Sequence, residues 1–257
     1  MEKQILAKFR KLNWVLSHSD EGYFSFNDLS DILSEVLEAN VYIFSKKGKV
    51  LAMSLIDVAV LTEDDSRYNW TNLEDKFNEN LSKIKETVIN LNRNEASKIF
   101  GKDFADTEKY HTIAPAISGE IRVGSLLFVR ADKSFTDMDI ALCEYSATVV
   151  GLEIGRGNVL EFEKIERQKN VVRQALETLS YSELEAVRCI FKELDGDEGL
   201  LVASRVADRT GITRSVIVNT LRKLESAGVI ESRSLGMKGT RLKIKNKYLS
   251  SALDEIN

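Results

Sequence analysis

The spacing of apolar positions changes several times along the chain, and the changes mark its elements. Ile5, Leu6, Phe9, Leu12, Trp14, Val15 and Leu16 recur mostly at helical spacing. A second helix is predicted from Ser25, which serves as N-cap with Asp28 as the acid three residues on. Its stripe is Leu29, Ile32, Leu33, Val36 and Leu37. NVYIF and VLAMS are β-rich runs flanking a Lys-Lys-Gly turn, hence a hairpin. Residues 63–98 are polar and weakly periodic and read as broken helices and loops. HTIAPAI and RVGSLLFVRA, joined by Ser-Gly-Glu, predict another hairpin. From Thr136, with Asp139 in the capping position, a long helical pattern runs to about Leu179. Gly151, Gly155 and Gly157 fall inside it. Each costs about 1 kcal/mol relative to Ala there, so a bend or close packing is expected. Residues 157–179 are highly charged and read as an exposed linker helix, a candidate dimer contact. With no Pro- or Gly-rich linker, semi-rigid coupling of the flanking domains is expected. The order of elements predicts an α+β fold with a small antiparallel sheet and helices packed on it.

The last third has a different grammar. Ser182-Glu-Leu-Glu185 predicts a capped helix with Leu184, Val187, Ile190, Phe191 and Leu194 inward, and residues 195–199 a turn. A short helix over 203–209 is followed by Thr-Gly-Ile. A second helix, capped by Thr213, runs to about Ser226. Gly211 allows the tight turn between them, as in a helix-turn-helix. On the second helix Ile217, Thr220, Leu221 and Leu224 share a core face. Arg214, Ser215, Val218, Asn219 and Arg222 lie opposite, where such groups can bond base edges and phosphates in a major groove. VIESRS and TRLKIK form a β-wing. The residues expected at DNA are Ala203, Ser204, Thr213, Arg214, Ser215, Val218, Asn219, Arg222 and Lys223, with Arg233, Lys238 and Arg241 on the wing.

Charge sharpens this picture. Residues 201–247 hold 11 Lys or Arg against 3 Asp or Glu, while residues 1–200 hold 25 against 35. A basic module on an acidic body is the electrostatic footprint of a protein that meets a polyanion at one end. No apolar run is long enough to span a membrane. The N-terminus carries charges through its apolar positions, unlike a secretory signal. A cytoplasmic location is expected. Cys143 and Cys189 read as small hydrophobes in a reducing compartment. No metal site, catalytic set or cofactor is expected.

The stretch GLLVASRVADRTGITRSVIVNTLRKLESAGVIESRSLGMKGT, with LSYSELEAV, FKELDGDEGLL and EYSATVVGLEI, resembles the CodY family of nutrient-responsive repressors of low-GC Gram-positive bacteria. The resemblance is dense from about Asp137 onward, fair at NVYIFSKKGKVL and sparse between about 55 and 110. It implies a GAF-like effector-sensing domain over 1–155, a long linker helix over 137–180 and a winged helix-turn-helix over 181–257. It also implies a homodimer on double-stranded operator DNA, with branched-chain amino acids (isoleucine, valine, leucine) as effectors. GTP is a second effector of many members.

The pocket departs from the family pattern. The family arginine that grips the ligand carboxylate aligns with Glu63, and Arg67 is the nearest substitute. Leu73, Phe77 and Phe100 fall at or near apolar family positions, and Lys98, Gly101 and Lys102 replace a more apolar loop. For GTP, the basic turn Ser45, Lys46, Lys47, Lys49 could meet phosphates near Glu153, or could be a solvated turn. Gly119 to Ser125 has P-loop-like glycine spacing but no lysine before the serine, and reads as a hairpin turn. Two other functions compete: an enzyme with a DNA-targeting domain, against which the missing P-loop and metal ligands argue, and a ligand-blind regulator with a vestigial pocket.

Overall fold

A computed structural model of the chain describes residues 2–17, 24–56, 72–101, 109–131, 133–194 and 196–255. It divides into two compact units, Met1–Asn158 and Val159–Asn257.

The first unit is built on α1 (Glu2–Ser17), α2 (Phe26–Leu37), β1 (Asn40–Ser45), β2 (Val50–Ser54), α3 (Asp75–Ser82), β3 (Val88–Leu91), α4 (Arg93–Phe100), β4 (Tyr110–Ser118) and β5 (Ile121–Arg130). The 41-residue α5 (Asp137–Glu177) begins in it. The strands form one antiparallel sheet in the order β2-β1-β5-β4-β3. Ser25 caps α2 as predicted, its hydroxyl accepting from the Asp28 N–H at 3.2 Å. Thr136 and Asp139 cap each other at the start of α5. The region expected to be irregular contains β3, whose four residues are too few to show alternation and are interrupted by Asn90 at φ 51°.

Both faces of the sheet are apolar. Val41, Ile43, Leu126 and Phe128 pack with Leu12, Leu29, Leu33, Leu142 and Val150 of α1, α2 and α5. Tyr42, Phe44, Leu127 and Val129 point the other way and pack with Leu81, Leu91 and Phe100 of α3, β3 and α4. Two of the three helix glycines are explained by close packing. A Cβ at Gly151 would lie 2.3 Å from the Ile117 carbonyl oxygen, and one at Gly155 would overlap the Ser118 hydroxyl. Gly157 has nothing within 4 Å. Cys143 is fully buried among these helices, and burial pushes its thiol pKa up.

One buried guanidinium ties the ends of three elements. Arg130, 5% exposed, donates to the Leu37 carbonyl at the end of α2, to the Ser134 carbonyl and to Asp139 Oδ2 at 3.2 Å, and lies over the Phe135 ring. Burial alone would raise the Asp139 pKa. Hydrogen bonds from the Thr136 N–H and from Arg130 more than offset it and hold the carboxyl below its ordinary value.

The second unit contains the end of α5, then α6 (Tyr181–Glu193), β6 (Glu198–Leu201), α7 (Ala203–Thr210), α8 (Arg214–Ser226), β7 (Ile230–Ser234), β8 (Thr240–Ile244) and α9 (Leu249–Glu255). The capping box of α6 is Ser180 with Glu183, not Ser182 with Glu185. Glu183 Oε2 accepts from the Ser180 N–H at 2.8 Å, and the Ser180 hydroxyl accepts from the Glu183 N–H at 3.4 Å. Both pairs satisfy the same sequence rule, and the helix begins at the earlier one. The segment expected as a turn before α7 ends in β6, which completes a sheet of order β6-β8-β7. Val172, Leu176, Val187, Ile190, Val206, Ile217, Leu224, Leu242, Leu249 and Leu253 share one core. Among the described residues no helix is long and apolar enough to cross a membrane.

Candidate DNA interface and effector face

Gly211 ends α7 at φ 69°, a left-handed conformation that costs glycine little. Thr213 then starts α8, without a side-chain cap bond; its hydroxyl lies 3.0 Å from Ser215 Oγ. Ile217, Thr220, Leu221 and Leu224 are buried, as the pattern predicts. Arg214, Ser215, Asn219 and Arg222 are exposed and Val218 is half-buried. Ser204 is exposed at the start of α7, whereas Ala203 packs partly against the core.

Lys223 is placed differently from expectation. Its ammonium donates to Glu183 Oε2 at 2.8 Å and to the Thr178 carbonyl at 3.3 Å. It ties α8 to the capping box of α6 and to the end of α5, and its donors are turned to those partners. The Lys223 ammonium is the main reason the Glu183 carboxyl sits below its ordinary pKa, with the Ser180 N–H adding to it.

On the wing, Arg233 pairs across the sheet with Arg241, and Lys238 is exposed in the 3-10 turn Gly236–Lys238. Arg241 is held by Glu198, Nε to Oε1 at 2.5 Å. Lys243 is exposed two residues from Arg241 and therefore on the same face. The alternation of TRLKIK points to Lys243 as well.

In the first unit the expected effector residues lie around the second apolar face. Phe100 is buried in it, and Leu73 packs at its edge. Phe77 is half-buried, and its ring is 3.3 Å from where a Cβ of Gly101 would lie. The basic turn is tied to the same region. The Leu73 N–H donates to the Gly48 carbonyl at 2.8 Å, and Asn78 Nδ2 to the Lys46 carbonyl at 3.1 Å. Lys46, Lys47 and Lys49 are exposed. The Ser45 hydroxyl accepts from the Lys49 N–H within the turn. Gly124 pairs with Ser45, and a Cβ there would lie 3.1 Å from the Ile154 side chain, so α5 passes this end of the sheet next to Glu153. Glu153 itself is paired with Arg156 at 3.7 Å. Lys98 is exposed on α4. Glu63, Arg67 and Lys102 lie outside the described residues.

The CodY GAF-like domain matches residues 4–178, and the CodY helix-turn-helix domain matches residues 197–257. The chain belongs to the CodY family. The Global transcriptional regulator CodY of Clostridium acetobutylicum is 50% identical over 254 residues, covering 98% of each chain. That of Caldanaerobacter subterraneus subsp. tengcongensis is 46% identical over 255 residues, again covering 98% of each. A solved structure of the cofactor binding GAF domain of the nutrient sensor CodY from Clostridium difficile is 39% identical. It covers 59% of this chain and 97% of that one, with a TM-score of 0.45. The chain is thus a CodY-family transcriptional regulator with a GAF-like domain and a helix-turn-helix domain, and the relatives are named as regulators rather than enzymes. In this CodY-family chain the P-loop-like run Gly119 to Ser125 is the β4–β5 turn and the start of β5. Gly119, at φ 63°, occupies the turn. The sequence reading took no functional residue from this run. Arg122 is half-buried there, its Nε buried and, among the described residues, without a hydrogen-bond partner. Burial pushes its pKa below the ordinary arginine value, although a guanidinium stays charged.

Proposed function

We propose that this regulator binds operator DNA as a homodimer, and that branched-chain amino acids, with GTP as a second effector, control that binding. The sensing domain is read as residues 1–155, the linker helix as 137–180 and the DNA-binding domain as 181–257. Arg214, Ser215, Val218, Asn219 and Arg222 read base edges, with Thr213 and Ser204 near the backbone. Arg233, Lys238 and Arg241 contact phosphates. Lys223 positions α8 from within the module. Exposed Leu152, Val159, Leu160 and Phe162 on α5 support self-association through that helix.

The observation that carries the effector reading is the second apolar sheet face. Phe44, Phe100, Ile113 and Leu127 form a packed core there, and Leu73 and Phe77, half-buried at its edge, offer the apolar surface against which a branched side chain would pack. The basic turn at its end offers charge for phosphates. Arg67 is the residue proposed from sequence to take over the carboxylate. Isothermal titration of the full chain with isoleucine, valine, leucine and GTP, followed by gel shift with and without each, tests the reading. Operator affinity should rise with isoleucine. No heat with any of the four would leave a ligand-blind regulator.

A further inference from the structure

The first unit holds a buried arginine, Arg130, and a half-buried one, Arg122, and their partners differ. Arg130 has a carboxylate, two carbonyls and an aromatic ring. Among the described residues Arg122 has one hydroxyl, Nη2 donating to Ser125 Oγ; its Nε, like that of Arg130, has no partner, so the difference lies in the carboxylate and carbonyls that Arg130 has and Arg122 does not. Among the described residues no carboxylate forms an ion pair with Arg122.

The register explains where this guanidinium points. β4 and β5 pair Ala116 with Gly124 but Ile117 with Arg122, so Val123 is the extra residue of a bulge. Beyond it Leu126 and Phe128 face the α1, α2 and α5 helices, while Leu127 and Val129 face the second apolar core. Val123 packs on the helix side. The bulge thereby brings Arg122 to the same face as Ser125, three residues away, and the hydrogen bond between them follows. Ser125 pairs across the sheet with Phe44 of the second core. The Lys46 N–H donates to the Val123 carbonyl at 2.8 Å, so the basic turn adjoins this spot and adds positive charge. A desolvated cation without a counter-ion is unfavourable, and its planar fork suits two parallel bonds to a carboxylate or a phosphate.

We infer that Arg122 is an anion-binding residue of the effector face. Its guanidinium, anchored by Ser125, holds the negative group of the small effector, either an amino-acid carboxylate or a nucleotide phosphate. The inference rests on the effector reading above and adds to it a named, described residue.

The test is isothermal titration of the full chain and of its Arg122→Gln and Arg122→Lys variants. The probes are isoleucine and isoleucinamide, and GTP and guanosine; thermal denaturation is run alongside. Arg122→Gln should weaken the probe that carries the carboxylate or phosphate by about tenfold or more and should not weaken its counterpart that lacks that group. Loss of isoleucine identifies a carboxylate site, and loss of GTP a phosphate site. Arg122→Lys, which keeps charge but not the fork, should fall between; if the Gln variant does not fold, the Lys variant carries the same comparison. Unchanged affinity for both probes with the anionic group overturns the inference while leaving effector binding intact. An equal loss for the probes with and without the anionic group also overturns it, since that is what a merely structural arginine gives. If the unaltered protein takes up neither isoleucine nor GTP, the effector reading fails and Arg122 falls with it.

Discussion

The recognition helix and the sensor strands bury their side chains in opposite ways. Along α8 one face is buried through Ile217, Thr220, Leu221 and Leu224, while Arg214, Ser215, Asn219 and Arg222 stand in water. Along β1 the residues Asn40 to Phe44 are all buried, and along β5 so are Val123 to Arg130. A one-sided element states its function on its free side, because anything polar and basic there has not been recruited for packing. A two-sided strand hides the distinction. Tyr42 and Phe44 belong to the core under α3 and α4, and Val41 and Ile43 to the one under α1, α2 and α5. Composition treats all four alike.

The sharpest way to break this contrast is to reverse charge on the free side of α8. Arg214→Glu places a carboxylate where phosphate or guanine is expected. A good base contact is worth about 1–3 kcal/mol and repulsion adds to its loss, so operator affinity should fall by about 100-fold or more. Arg214 is exposed, so the thermal midpoint should not move. A gel shift showing unchanged affinity would remove Arg214 from the interface.

Glycines on α5 test the sealed face. Gly151→Ala should destabilise the first unit by about 1–3 kcal/mol, because its Cβ would press on the Ile117 backbone at 2.3 Å. Gly157→Ala meets nothing within 4 Å and should stabilise by up to about 1 kcal/mol through helix propensity. Denaturant unfolding of the pair gives opposite signs. A stabilising Gly151→Ala would mean that α5 does not approach β4 so closely.

These glycines also mark how far the sequence could be read. Three glycines in one helix announced either a bend or a close contact, but only the partner strand separates Gly151 from Gly157. The helix-turn-helix was readable almost residue by residue, since its turn, core stripe and polar face are all local. Two features there are instructive. Lys223 reads as a DNA contact because it is basic and close to Arg222; the fold adds a pairing with Glu183, 40 residues away, that local spacing does not show. β6 was missed because its pairing with β8 is non-local. In the sensor, β3 is too short to show a period. Arg122 was overlooked because a bulge, invisible in sequence, decides which face it takes.

His111 offers a pH test confined to the sensor. It lies on β4, 1% exposed. Burial, more than any neighbour, lowers its pKa from 6.5 to about 4. The unfolded chain therefore binds a proton between pH 6.5 and 4 that the folded protein does not. Stability should rise with pH across that window and fall as the solution is acidified, by about 2 kcal/mol from pH 7 to pH 5. His111→Gln should show a shallower pH dependence over the same range. Equal slopes in both proteins would mean that His111 is protonated in the folded state.

The smallest effect expected is on the wing, where two basic residues differ in what holds them. Lys238 is exposed and among the described residues forms no ion pair, whereas Arg241 is paired with Glu198 at 2.5 Å. Each phosphate contact contributes about one unit to the slope of log K against log salt. Lys238→Ala should lower that slope by about one unit and weaken binding to all sequences alike. Arg241→Ala should lower it by less, because the Arg241 charge is already partly neutralised and releases fewer counter-ions when it meets DNA. The pair is exposed enough that its own stability contribution is at most about 1 kcal/mol, so the difference belongs to binding. Glu198→Gln frees the guanidinium. In that background Arg241→Ala should cost the full unit, and the mismatch between the two Arg241→Ala effects reports how far the pair is coupled. Identical slopes in both backgrounds would show that the ion pair opens before DNA arrives and that Arg241 acts as a free cation, like Lys238.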